Sequence, residues 1–131
     1  VNEDMPDVSD LPVRQALITL LEWISNAHAS GMTPTWLVGM QQIPQLRDLY
    51  MCNVVRPRRV ALEAVLERGR AQGELREDID IDVAMTCLSA PAIHVGMHRA
   101  RGSSAGEVPI DEVVDLVLSG LLRPGARATD S

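Results

Sequence analysis

A chain of 131 residues suits one domain with its own core. Its 46% hydrophobic content and mean hydropathy of +0.02 exclude a disordered tail and a membrane-spanning bundle. The formal net charge of −6 sets the chain against phosphate backbones, so these residues alone are not expected to bind DNA. Val1 to Asp10 is acidic and polar and lacks the basic-then-apolar order of a secretory signal, so the expected location is the cytoplasm, with no membrane contact. Cys52 and Cys87 stand alone inside apolar helical patterns and are expected to be buried free thiols, not disulfide or zinc ligands. All twelve basic residues are arginine, a bias that suits GC-rich coding better than any demand of a fold. Phenylalanine is absent and Trp23, Trp36 and Tyr50 are the only aromatic residues, so Leu, Val, Ile, Ala and six methionines must fill the core. That composition favours an all-α fold.

Asp10 as cap and Pro12 in the first turn open a helix in which Val13, Leu17, Leu20, Leu21, Ile24 and His28 recur at three- and four-residue steps, ending at Gly31. A shorter helix follows, capped by Thr33 or Thr35 with Pro34 in its first turn, carrying Trp36, Leu37 and Met40 and stopping near Pro44. From Gln45 to Gln72, Leu46, Leu49, Tyr50, Val54, Val60, Ala61, Val65 and Leu66 form one face. Pro57 removes a backbone donor there, so a kink or break is expected near Val55 to Pro57, and Gly73 closes the element. Asp78 or Asp80 caps a helix from Ile81 to Ala100 that Pro91 should bend, and Gly102 to Gly106 read as a flexible polar loop. In the last helix, from Pro109 to Leu122, Val113, Val114, Leu116, Val117, Leu118, Leu121 and Leu122 leave only a narrow polar strip. Such a helix needs cover on two sides, and a second copy of the chain is the expected cover for one of them, with Gly120 allowing close approach.

Arg56-Pro-Arg-Arg-Val-Ala-Leu-Glu-Ala-Val-Leu-Glu-Arg-Gly69, Arg70-Ala-Gln-Gly-Glu-Leu-Arg76, Asp78-Ile-Asp80, the Ala90-Pro91 step within Ser89 to Arg99, and Val117-Leu-Ser-Gly-Leu-Leu122 occur in an order that resembles the C-terminal domain of tetracycline-repressor (TetR) family regulators. The resemblance is close over the second half of the chain and rests on helix order alone in the first. It implies a five- or six-helix orthogonal bundle over residues 10–123, with 1–9 as a linker, 124–131 as a disordered tail and the helix-turn-helix DNA-binding domain absent from this chain. It also implies a bacterial transcriptional regulator, as a repressor, in which a small apolar or amphipathic effector shifts a two-state dimer and so modulates DNA binding. The last two helices then carry the homodimer contact, through Ile93, His94, Met97, Val113, Leu116, Val117, Gly120 and Leu121.

The side chains expected to line the effector pocket are Trp23, Trp36, Met40, Tyr50, Met51, Val54, Met85 and Leu88, each of which also suits plain core packing. His94 and His98 have the four-residue spacing that can hold a transition metal, but no acidic ligand joins them, and a stripe facing the partner or held by a hydrogen bond is the preferred reading. His28 reads as a helix-end residue. Arg56, Arg58 and Arg59 form a basic cluster that suits a phosphate or an acidic effector, yet Glu63 and Glu67 follow at helical spacing and favour a solvated face. Asp78, Asp80 and Asp82 lack the glycine and distal glutamate of a calcium loop. No nucleophile elbow, phosphate loop, dinucleotide fingerprint or metalloprotease motif occurs, so neither catalysis nor a cofactor is expected. The competing expectation is a stand-alone helical interaction module without a small ligand.

Overall fold

The computed structural model describes residues 5–31 and 34–121, with the side chains of 30–37 and 121 excepted. Its elements are α1 (Val13–Gly31), α2 (Pro34–Gln42), α3 (Pro44–Tyr50), a π turn (Met51–Val55), α4 (Arg56–Ala71), α5 (Ile81–Arg101), a 3-10 turn (Ser104–Glu107) and α6 (Ile110–Leu121). Among the described residues there is no strand, in keeping with the all-α expectation. No helix of the described residues is long and apolar enough to cross a membrane.

The bundle is organised around α1, which packs most extensively on α5 and also touches α4 and α6. Its stripe of Val13, Ala16, Leu17, Leu20, Leu21, Ile24 and His28 is buried as the spacing requires. Ala84, Met85, Leu88, Ala92 and Val95 of α5, Leu62, Val65 and Leu66 of α4, and Ile110 and Val114 of α6 complete the core. Gly96 is the crossing point of α1 and α5. A Cβ placed there would run into the Ser25 carbonyl and lie 2.9 Å from the His28 Cβ, so only hydrogen allows the two backbones to meet. At the far end of α1, Arg14 grips Asp115 of α6 through Nε and Nη2, at 2.7 and 3.0 Å.

The starts of α1 and α5 and the ends of α4 and α5 can be set against their sequence signals, whereas the expected α2 cap at Thr33 and the α6 end at Leu122 lie outside the described residues. The Asp80 carboxylate accepts from the Val83 N–H at 3.2 Å and caps α5, and Gly73, at φ 77°, ends α4 in the left-handed region. The first bond of α1, however, runs from the Ala16 N–H to the Pro12 carbonyl, so Pro12 and not Asp10 holds the cap position. The 102–106 segment is an ordered turn, not a flexible loop: Arg99 Nε donates to the Gly106 carbonyl at 3.1 Å, and His98 Nδ1 meets Ser103 Oγ at 2.9 Å. The segment ahead of α1 also packs onto the bundle. Val8 is buried, and Arg68 donates to the carbonyls of Ser9 and Leu11. Pro91 leaves α5 continuous from Ile81 to Arg101.

Pro57 does not break its helix either. α3, the π turn and α4 run on without a gap, and the Arg56 N–H reaches back five residues to the Met51 carbonyl. A wider turn there absorbs one extra residue and relieves the clash between the proline ring and the preceding turn. Its consequence is a shift of face: the buried stripe of α4 is Arg58, Leu62, Val65, Leu66 and Gly69, while Val60 and Leu49, expected inside, are 61% and 59% exposed. Cys52 and Cys87 are exposed too, against expectation. Cys52 lies in the π turn, which buries no side chain, and Cys87 sits on the side of α5 away from Ala84, Met85 and Leu88.

Replacing Gly96 with alanine should lower stability by about 2 kcal/mol or more, because a backbone carbonyl cannot step aside. Gly120→Ala, whose Cβ meets nothing within 4 Å, should leave the single chain unchanged or slightly more stable. Urea denaturation of the two variants side by side gives the comparison.

Candidate functional site

The expected pocket residues occupy three kinds of place. Met85 and Leu88 are core side chains at 2% and 0% exposure, and Trp23 is partly buried against the same core. Met40, Tyr50 and Val54 are half-buried on α2, α3 and the π turn, Met51 is 47% exposed, and the Trp36 side chain lies outside the described residues. Among the described residues α2 packs on α3 alone, and α3 meets the bundle through the π turn. Among the described residues these elements form an arm that joins the bundle at the π turn. Val38, Ile43, Leu49 and Met51 leave apolar surface uncovered along it.

Where the arm joins the bundle lies a polar cluster that sequence reasoning did not assemble. Arg58, read as part of a solvated face, is 7% exposed, and His28, read as a helix-end residue, is 5% exposed. Arg58 Nη1 lies 3.1 Å from His28 Nε2, Nη2 donates to Tyr50 Oη at 3.0 Å, and Nε donates to the Val54 carbonyl at 3.3 Å. The guanidinium carbon also stands 6.0 Å from the Tyr50 ring centre. Its sequence neighbours behave as expected of surface residues: Arg56 is exposed, and Arg59 pairs across to Asp82 at 2.9 Å. Glu67, offered by its spacing as a partner for the cluster, instead takes Arg70.

The π turn creates this juxtaposition. Eight residues of regular α-helix would place positions 50 and 58 about 80° apart, whereas absorbing one residue brings them to within about 20° of each other. By the same count Leu46, twelve residues before Arg58, moves from about 120° to about 20° away. Leu46, Tyr50 and Arg58 thus share one side of the rod. The only sequence signal for this was Pro57, which announces an irregularity without saying which kind.

Burial, and secondarily the Arg58 charge, push the His28 pKa down to about 4. The ring is therefore neutral near pH 7. Since Nε2 must accept from Arg58, Nδ1 carries the proton, and Nδ1 is a buried atom with no hydrogen-bond partner among the described residues. The cluster is a fixed cation flanked by neutral groups.

The residues expected at a dimer contact share an outer face of α5 and α6. Leu116 is 77% exposed and Val83 58%, His94, Gly120 and Cys87 are exposed, and Ile93, Met97, Val113 and Val117 are half-buried; the Leu121 side chain lies outside the described residues. A shallow depression of about 480 Å³ between the two helices is lined by Val83, Cys87, Leu116, Val117 and Gly120 among others. The His94 and His98 rings lie with centres 4.4 Å apart at a tilt of 59°, and among the described residues no three His, Cys, Asp or Glu side chains gather as metal ligands.

The His28 shift fixes a pH dependence. An unfolded chain protonates His28 near pH 6.5 and the folded chain only near 4, so the unfolded state binds more protons between these values. Stability is full above pH 6.5 and falls as the pH drops to 4, by on the order of 3 kcal/mol for this group. Denaturation midpoints followed from pH 7 to 4.5 should decline, and His28→Gln, which keeps an acceptor for Arg58, should flatten the slope.

Comparison with known proteins gives two matches. A family model described as the tetracyclin repressor-like C-terminal domain covers residues 12–117, from the start of α1 into the last turns of α6. The uncharacterized HTH-type transcriptional regulator YdeS of Bacillus subtilis (strain 168) is 34% identical over 59 residues, a match that takes in 44% of this chain and 30% of that protein. The match therefore spans less than a third of that relative's length. No solved structure matches the chain. Given a family model that takes in all but the two ends, the chain belongs to the tetracycline-repressor (TetR) family as a C-terminal regulator domain.

Proposed function

We propose that this domain is the effector-binding and dimerising part of a transcriptional repressor in the cytoplasm, and that its work is binding, not catalysis. The observation that carries this reading is the arm of α2 and α3, held to the bundle by a π turn and by the Tyr50–Arg58–His28 cluster. Among the described residues the arm meets the bundle at the π turn and this cluster, and a segment so attached is where a ligand has leverage on a two-state equilibrium. A small molecule seated between arm and bundle, against Trp23, Met40, Tyr50 and Val54, shifts the arm and so the output. DNA contacts belong to a helix-turn-helix segment outside these residues, as the name of the YdeS relative and the net charge of −6 both suggest.

Dimerisation is assigned to the outer face of α5 and α6. Leu116 in particular has no role inside a single chain, since Ile110 and Val114 take the inward side of α6. A self-complementary contact about a two-fold axis through this face covers Leu116, Val117 and Val83 together.

Two measurements test the reading. Native mass spectrometry of protein purified from its host should show an added small-molecule mass, and a chain with no added mass under gentle release conditions speaks against effector binding. Light scattering should find a dimer at micromolar concentration and a monomer for Leu116→Asp, with the helical content retained. A monomeric wild type ends the dimer assignment.

A further inference from the structure

Resting on the effector-binding role just proposed, we propose that Arg58 is the head-group subsite of that effector, which is an anion, carboxylate or phosphate, carried on an apolar body lying along Leu46, Tyr50 and Val54. Arg58 is the one buried arginine among the described residues, while Arg68, half-buried, donates to the Ser9 and Leu11 carbonyls. Arg14, Arg59, Arg70, Arg76 and Arg99 each face a carboxylate although their side chains are 27–51% exposed, where water already solvates them. Arg58, at 7% exposure, faces none among the described residues. A buried guanidinium needs an opposite charge more than a surface one does, because the interior screens it less and water no longer hydrates it.

What surrounds Arg58 is neutral: a histidine nitrogen, a phenol and a backbone carbonyl. Those three acceptors use three of the five N–H groups of the fork. Among the described residues two donors remain, and the fork can offer them to a planar or tetrahedral oxyanion. The apolar body follows from the stripe that leads to the cation. Leu46, Tyr50 and Val54 are half-covered along the arm, and the π turn lines Leu46 and Tyr50 up with Arg58.

The test uses the 131-residue chain with octanoate, octyl phosphate, octanol and octylamine, which share one tail and differ in head group, read by calorimetric titration and by the thermal midpoint. Octanoate or octyl phosphate should bind and raise the midpoint, while octanol and octylamine bind at least about tenfold more weakly. Arg58→Met should abolish that preference while the protein keeps its circular-dichroism signature, with a lower midpoint in the absence of ligand because His28 Nε2 and Tyr50 Oη lose their donor. Arg58→Lys, which keeps the charge without the fork, should retain part of the preference. Equal binding of octanol and octanoate overturns the anionic head group and leaves the effector role standing. So does octanoate binding that survives Arg58→Met. Absence of binding by all four compounds also overturns this inference, and the effector role is then decided by the co-purified mass alone.

Discussion

A missing hydrogen on one backbone nitrogen shapes this domain more than any side-chain contact. Pro57 cannot donate, and the chain answers with the π turn at Met51–Val55 in place of a break. One residue is absorbed, and every position beyond it turns on the helix axis relative to those before. Arg58 and Leu62 rotate inward, Val60 rotates out, and Tyr50 comes into line with Arg58. The buried face of α4, the attachment of the arm and the polar cluster all depend on that single displacement.

The second constraint is the close approach at Gly96. Because α1 and α5 touch backbone to backbone, α1 is held at the centre with little freedom, and both of its ends are tied to other elements. Arg14 joins its start to α6 and His28 joins its end to α4. The surface ion pair contributes little by itself, since both side chains are about half exposed and screened by water. The His28 contact is different, because neither partner retains water to fall back on.

Much of this was legible in the sequence, and the failures share a cause. The stripe of α1, the Asp80 cap and the Gly73 stop followed from spacing and local chemistry, since each is decided by residues within a turn or two. The rod from Pro44 to Ala71 was misread on its two sides because a 3.6-residue pattern carried across Pro57 loses register by one position. Arg58 was misread because its burial depends on His28, thirty positions away in the chain. Cys52 and Cys87 were expected inside on the strength of apolar neighbours, and composition alone does not say which side of a helix those neighbours cover.

Arg58 also alters what any visitor to this corner experiences. A surface arginine must shed its hydration shell for each new partner, and that dehydration offsets most of the attraction gained. Here the shell was stripped once, during folding, and the cation is held rigid by three acceptors. Charges that come near it interact in a medium of low polarisability, with almost no side-chain freedom left to freeze. The corner is preorganised, so discrimination between ligands there turns on their charge and shape and not on how readily the protein rearranges to meet them.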